Sequence, residues 1–235
     1  MLAAKGLYKT FGAKTALQDV DITVKPGTVT VLIGPSGAGK TTLLRCLGLL
    51  DQPDRGFVSV DDATFAFPRS KPNAHTAHPW PDLTVVFQQH FLWPHLTMRE
   101  NILLPARHRG KATASAFTEL VDLFEMAEFI DRYPNEVSIG ERQRVALARA
   151  LVLEPKYILL DEITSALDVE HIHAIFKHLL ELRSRGIGML LITHLLGLAR
   201  GLLAQPSGRA SFTTTKSNAE ACSPRCQQRL QRART

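Results

Sequence analysis

The chain alternates short apolar segments with amphipathic ones over most of its length. Residues 16–24 alternate apolar and polar side chains, which predicts a half-exposed strand. Helices are predicted at about 39–50 and 169–185, and the proline-containing segment 68–82 is predicted to be a surface loop. Short apolar segments predict further strands at 29–33, 57–60, 83–87, 157–160 and 188–193. Strands that alternate with helices indicate an α/β fold with a mostly parallel sheet covered on both faces.

Residues 97–155 carry a helical pattern. Ser138 is the expected N-cap of one helix, and Glu141, three residues later, completes a capping box. That helix should run to Glu154, because Pro155 cannot continue it. The predicted organisation is a core in two parts, 1–87 and 156–200, with an inserted helical subdomain at 88–155 and a basic, irregular tail at 201–235.

The basic charge of the chain lies in its tail. Of the net +6 carried by the 235 residues, +5 falls after residue 200, where there are six bases and one acid. The body is close to neutral, so no nucleic-acid partner is expected. The three cysteines form no disulfide framework, which fits a cytosolic compartment. No membrane span is expected either, because the most apolar late segment, 187–199, is shorter than the roughly 20 residues that cross a bilayer.

A glycine-rich sequence follows the strand predicted at 29–33 and precedes an amphipathic helix. It matches the phosphate-loop pattern G-x-x-x-x-G-K-[ST], in which glycines let backbone N–H groups approach phosphate oxygens. In this pattern Lys40 reaches the β- and γ-phosphates, and the Thr41 hydroxyl holds Mg²⁺. The residues expected to bind ATP here are Gly34, Pro35, Ser36, Gly37, Ala38, Gly39, Lys40, Thr41 and Thr42. The predicted core is therefore that of a P-loop NTPase (RecA-like).

Two carboxylates end the strand predicted at 157–160. Asp161 is expected to hold Mg²⁺, and Glu162 is expected to polarise the water that attacks the γ-phosphate. An apolar segment that ends in Asp-Glu is common in itself. Its functional interpretation depends on the phosphate loop about 120 residues upstream.

Five further segments, in order along residues 1 to about 195, resemble the ATP-binding-cassette (ABC) family. They are YKTFG at 8–12, FQQ at 87–89, VSIGERQR at 137–144, SALD at 165–168 and TH at 193–194. The resemblance implies that Phe11 stacks on adenine, that Gln88 contacts Mg²⁺ and the attacking water, and that His194 contacts the γ-phosphate. These residue types suit the roles, since glutamine both donates and accepts and histidine can donate to a phosphate oxygen.

The resemblance also implies a site shared by two copies of the chain. Ser138 and Gly140 of one subunit would close over ATP bound to the other in a head-to-tail dimer, and Asp168 would couple the two sites. The sequence departs from the family at Ile139, which replaces a glycine, and at Ile163, which replaces a proline. If the backbone at residue 139 needs a positive φ, a β-branched residue there costs about 1–3 kcal/mol. The tail also lacks two strands that the family has, which is consistent with a shifted reading frame, with a truncated gene copy or with divergence.

Residues 91–101 resemble the importers of polar amino acids within this family. In those importers the region receives a short helix of the membrane permease, and Leu92, Trp93 and Leu96 are candidates for that groove. The alternative is that these side chains belong to the core of the helical subdomain. The resemblance implies an ATPase that is cytoplasmic, peripheral on the inner face of the membrane through permease subunits, and served by an external solute-binding protein. Two other functions stay open: a damaged copy without turnover, and a soluble cassette ATPase outside transport.

Overall fold

A computed structural model describes residues 1–68, 79–109, 114–163, 169–194 and 212–213 of the chain. Within these residues it has nine β-strands and five α-helices, with a 3-10 turn before the fourth helix. In chain order the elements are β1 Leu2–Phe11, β2 Lys14–Val24, β3 Val29–Leu32, α1 Lys40–Leu47, β4 Arg55–Val60, β5 Ala63–Phe67, β6 Leu83–Val86, α2 Met98–Arg109, α3 Ala114–Leu123, the 3-10 turn Pro134–Glu136, α4 Ile139–Leu151, β7 Tyr157–Asp161, α5 Val169–Ser184, β8 Gly188–Ile192 and β9 Phe212–Thr213.

The first sheet is antiparallel, with the strand order β2-β1-β4-β5. Its first strand, β1, is absent from the sequence-based prediction. Lys5 is exposed and Gly6 has φ +58°, so the strand has a register irregularity between Ala4 and Leu7 that breaks the alternation of apolar and polar positions. A strand with such a bulge is difficult to recognise from periodicity alone.

The second sheet is parallel throughout, with the order β6-β7-β8-β3-β9. The strands β3, β7 and β8 are buried at every position, as inner strands of an all-parallel sheet are. Ile158 and Leu160 pack into a helix-side core formed with the helices α2 to α5. Tyr157 and Leu159 pack into a sheet-side core formed with α1 and the antiparallel sheet. The prediction of an α/β fold with a covered parallel sheet is confirmed.

Two helices end earlier than their sequences predict. The helix predicted at 39–50 ends at Leu47, because the chain turns at Gly48 and Leu49 takes φ +55°. The helix expected to run to Glu154 ends at Leu151, and Glu154 itself has φ +52°. Left-handed residues cannot continue a right-handed helix, so these helices end before the chain reaches the expected stop.

The tail contributes one described segment to the fold. Phe212 pairs with Val31 and Thr213 with Leu32, which makes β9 a parallel edge strand beside β3. The irregular tail predicted for 201–235 therefore does not include these two residues, and the rest of it lies outside the described residues. Within the described part of the chain, no helix has both the length and the apolar character of a membrane-crossing helix.

Candidate active site

Four parallel strands bring the predicted chemical groups to one edge of the sheet. Leu32 of β3 pairs with Ile192 of β8, and Ile192 pairs with Asp161 of β7. Val86 of β6 lies beside Leu160 of the same strand β7. Because the strands are parallel, the segments that follow them all emerge at their carboxyl ends, where open α/β sheets bind ligands.

The phosphate loop connects β3 to α1 and depends on glycine at two positions. Gly37 and Gly39 have φ values of +78° and +82°, a region that glycine enters without a steric penalty. A Cβ on Gly39 would lie within 3.0 Å of the Ala16 carbonyl oxygen, whereas a Cβ on Gly37 would meet open space. Gly39 is also the N-cap of α1, so the positive end of the helix dipole points into the loop.

Lys40 is the first residue of α1, and its ammonium group turns back into the loop. Its Nζ donates to the Gly34 carbonyl at 2.9 Å and to the Pro35 carbonyl at 3.0 Å. The side chain is only 5% exposed, and Nζ lies 4.0 Å from Glu162 Oε1. The loop therefore holds a buried positive charge at the point where its backbone could surround a phosphate.

The Thr41 hydroxyl and the Asp161 carboxylate face each other across the site. Thr41 Oγ1 donates to Asp161 Oδ1 at 3.4 Å. Burial raises the pKa of Asp161, the hydrogen bond from Thr41 lowers it, the neighbouring Glu162 raises it and Lys40 lowers it, with a net upward shift. A buried carboxylate beside a hydroxyl is a pair of hard oxygen ligands, so these residues fit the Mg²⁺ ion that the family implies.

Glu162 follows β7 in a left-handed conformation with φ +50°, and its N–H donates to the Ile192 carbonyl at 3.0 Å. This bond ties the turn to the end of β8. His194, two residues after β8, places Nε2 2.6 Å from Glu162 Oε1. The Glu162 side chain is 20% exposed and that of His194 is 42% exposed, so both groups can reach a ligand. Ile163, which stands where the family has a proline, is buried.

Phe11 and Gln88, two other residues expected at the site, lie beside the group of side chains at the carboxyl ends of the strands. Phe11 ends β1, is 53% exposed, and pairs with Lys14 in the hairpin whose Ala16 meets the phosphate loop. Its ring is therefore accessible, and the Lys9 ammonium lies 5.2 Å from the ring centroid. Gln88 is exposed two residues after β6, beside the strand that carries Asp161. Both roles stay predictions.

Ser138 caps α4 as the sequence predicts. Its hydroxyl accepts from the Glu141 N–H at 3.3 Å, and Glu141 Oε2 accepts from the Ser138 N–H at 2.7 Å. Ile139 is the first helical residue and is not among the residues of positive φ, so the strain considered for it does not arise. Its side chain is 46% exposed, and Gly140 is buried in the first turn. Asp168 lies outside the described residues.

The segment after β6 is held by residues of α4 for which the sequence motifs predicted no role. Arg149 and Gln143 of α4 bind the backbone of Phe91 and the side chain of His90, respectively. The one available signal was an arginine among the alanines and leucines of α4, which the resemblance to a family motif did not explain.

The comparisons with known proteins agree with this geometry. Residues 17–165 match the family described as ABC transporter. The glutamine transport ATP-binding protein GlnQ of Escherichia coli (strain K12) is 39% identical over 203 residues, which are 85% of this chain and 83% of that protein. The lipoprotein-releasing system ATP-binding protein LolD of Bacteroides thetaiotaomicron is 37% identical over 204 residues, 85% of this chain and 93% of that protein. The dimeric bacterial ABC transporter cassette MJ0796 has a TM-score of 0.77 at 30% identity, covering 92% of this chain and 95% of that one.

The matched segment contains the phosphate loop, both carboxylates and the capped helix α4. Its structural neighbours are cassettes of the same kind, one of them with ADP and Pi bound. The resemblance drawn from the sequence motifs is thereby confirmed. The chain belongs to the ABC transporter family, and it is one of the ATP-binding cassette ATPases of that family.

Proposed function

We propose that the chain hydrolyses MgATP as one half of a cassette dimer that powers import of polar amino acids through a membrane permease. The observation that carries the chemistry is the grouping of Lys40, Thr41, Asp161, Glu162 and His194 at one sheet edge. Each of the five suits one part of γ-phosphoryl transfer to water.

Lys40 is the electrostatic centre of the phosphate site. An ammonium group has three donors, and two of them are bound to the Gly34 and Pro35 carbonyls. The third can bind a phosphate oxygen while the loop amides bind the others. Because Lys40 is 5% exposed, its charge is poorly screened by water, and it stabilises the charge that develops on the γ-phosphate.

Glu162 is the residue that orients and polarises the attacking water. Its Oε1 is 2.6 Å from His194 Nε2 in the structure. When ATP binds, His194 exchanges the carboxylate for a γ-phosphate oxygen, which frees Glu162 for water. Thr41 and Asp161 would hold Mg²⁺, which when bound neutralises phosphate charge. Gln88 and Phe11 are proposed to contact the water and the adenine, respectively.

The second half of each site comes from another copy of the chain. Ser138 and Gly140 begin α4, and the positive end of a helix dipole suits a phosphate of the opposite subunit. The dimeric arrangement of the MJ0796 cassette supports this assembly. Asp168 is proposed to couple the two sites of the dimer.

Phosphate release from purified protein tests the ATPase proposal. Glu162→Gln should lower kcat by about 10²–10⁴-fold, the range for loss of a general base, while ATP binding persists. Lys40→Ala should abolish nucleotide binding itself. The matched control is Glu128→Gln, because Glu128 is exposed on a turn of the helical region. Wild-type turnover equal to that of Glu162→Gln would reject the proposal and favour a copy without turnover.

Transport of polar amino acids rests on the segment 91–101 and on the likeness to GlnQ. Leu92 packs against the helix-side core, in agreement with the alternative that such side chains belong to the core of the helical subdomain. Trp93 is 51% exposed and lines an apolar groove of about 590 Å³ with Trp80 and Leu104. A permease helix in this groove would place the cassette on the inner face of the membrane.

Reconstitution tests the solute. The tagged chain is co-purified with its permease, placed in proteoliposomes with the solute-binding protein, and supplied with labelled glutamine and arginine. ATP-dependent uptake of either amino acid supports the proposal, and Trp93→Ala should reduce co-purification without changing ATP affinity. Absence of uptake together with ATP-dependent lipoprotein release from membranes would favour the function that LolD is named for.

A further inference from the structure

The irregular segment that carries Gln88 is fastened to α4 by an arginine. The Arg149 guanidinium donates to the His90 carbonyl at 2.6 Å and to the Phe91 carbonyl at 2.7 Å. These are short, charge-assisted bonds in the forked geometry that only arginine offers. The carbonyls bound by Arg149 belong to the second and third residues after Gln88. The two bonds therefore hold the backbone there independently of the side chains of the segment.

Arg149 is placed where a positive charge is unfavourable. The side chain is half-buried beside the groove that Trp93 lines, and burial lowers the pKa of its guanidinium. An apolar side chain would serve the packing of α4 at lower cost, since a half-buried charge still requires compensation by polar groups. The two carbonyls provide that compensation. A charged side chain bound to two backbone carbonyls is expected of a residue that positions the chain, and core packing alone does not require it.

A second bond joins the same segment to the same helix. His90 Nε2 lies 2.7 Å from Gln143 Oε1, and Gln143 is 3% exposed. Burial lowers the pKa of His90, the Gln143 bond raises it, and Arg142 and Arg149 lower it, with a net downward shift. A neutral His90 with its proton on Nε2 is the tautomer that donates to Gln143.

The far end of the segment is held by α2. The Asn101 side chain is fully buried, accepts from the Trp93 N–H at 2.7 Å, and donates to the carbonyls of Trp93, Leu96 and Thr97 at 3.0–3.1 Å. Phe91, whose carbonyl Arg149 binds, has φ +47°. A non-glycine residue in this region persists only where the surroundings enforce it.

We propose that Arg149 and Gln143 are positioning residues that tie the Gln88 segment to α4 as one rigid unit. The helix α4 is 13 residues, or about 20 Å, long, and it starts at the Ser138 cap. A displacement of that cap is therefore transmitted to Gln88. This inference rests on the proposed function, because it requires that Gln88 act in hydrolysis.

A double-mutant cycle tests the tether through its effect on turnover. Arg149→Lys keeps the charge but loses the fork, so kcat should fall about tenfold, as expected for one charged hydrogen bond, with KM for ATP within about twofold. In the Gln88→Ala background the same substitution should change kcat by less than about twofold, because coupled sites are not additive. Arg55→Lys, on an exposed strand position of the other sheet, is the control and should leave kcat unchanged. Gln143→Met provides a second variant with the same expected pattern.

Hydrogen exchange of residues 88–97 gives a readout that does not depend on turnover. Exchange in this segment should accelerate in Arg149→Lys and in Gln143→Met but not in Arg55→Lys. Unchanged exchange, additive effects on kcat, or equal losses in kcat and ATP affinity would each overturn the tether. Absence of turnover in the wild type would instead reject the proposed ATPase function, while the exchange data would still decide whether the segment is tied to α4.

Discussion

Alanine substitutions at Gly37 and Gly39 separate two causes of glycine dependence in the phosphate loop. The two residues have nearly the same φ, +78° and +82°, so an alanine meets the same backbone penalty at both. They differ in their surroundings, because a Cβ at residue 39 collides with the Ala16 carbonyl and a Cβ at residue 37 meets nothing. The difference between the two variants therefore isolates the contact between the loop and β2.

The expected magnitudes follow from these two terms. A left-handed conformation costs an L-residue about 1–2 kcal/mol, which is the whole effect expected for Gly37→Ala. Gly39→Ala adds a collision with a backbone carbonyl, and overpacking of this kind costs about 1–3 kcal/mol more. The free energy of unfolding should thus fall by about 1–2 kcal/mol in the first variant and by about 2–5 kcal/mol in the second.

Urea unfolding measures the free energy of unfolding of each variant, and repeating it with ATP shows how much nucleotide binding stabilises the protein. For a chain of this size each kcal/mol corresponds to a shift of roughly 2–4 °C in Tm, so thermal unfolding gives an independent check. Gly39→Ala should also weaken ATP binding, because the loop must move away from Ala16 to accommodate the methyl group. Equal losses of stability in the two variants would refute the reasoning, since they would mean that conformation alone determines the glycine requirement. Gly12→Ala, with φ +58° and open space around it, is the control outside the loop.

Three further predictions concern buried and capping groups. Burial lowers the pKa of His178, so below about pH 6.5 the unfolded state takes up a proton that the folded state does not, and stability falls as the pH decreases; in His178→Phe the drop in Tm between pH 7.5 and 5.5 should be smaller, and an unchanged drop would contradict the assignment. Burial raises the pKa of Cys46 to about 12, so iodoacetamide should modify this thiol only after the protein unfolds. Peptide mass spectrometry measures the modification, and rapid modification of the native protein would count against burial. Ser138→Ala removes the acceptor of the Glu141 N–H and should cost about 1 kcal/mol in urea unfolding, whereas a loss near zero would mean that water replaces the cap.

The sequence predicted those parts of the fold that local patterns determine. The apolar segments that became β3, β7 and β8 are buried on both faces, and continuous apolar sequence is the signature of such strands. The phosphate loop and the cap at Ser138 were also predicted, because each is encoded within a few consecutive residues. Chemistry that depends on a single turn can be recognised without knowledge of the tertiary structure.

Contacts between distant segments could not be predicted in this way. The collision partner of Gly39 is a carbonyl on β2, and no side-chain pattern marks a backbone oxygen. The bonds from Arg149 to the chain near Phe91 span 58 residues, and they too end on carbonyls. The ends of α1 and α4 were placed too late because Leu49 and Glu154, which take positive φ after these helices, are not residues whose type predicts a helix stop.

The location of the chemical groups beyond the strand ends limits how the chain can change in length. Asp161 is the last residue of β7, and Glu162 and His194 each follow a strand by one or two residues. Deletion of one residue inside β7 would shift the register by one, so that Glu162 takes the position of Asp161 and Ile163 takes the position of Glu162. Changes in length should therefore be tolerated better at the amino ends of these strands than between the paired residues and Asp161, Glu162 or His194.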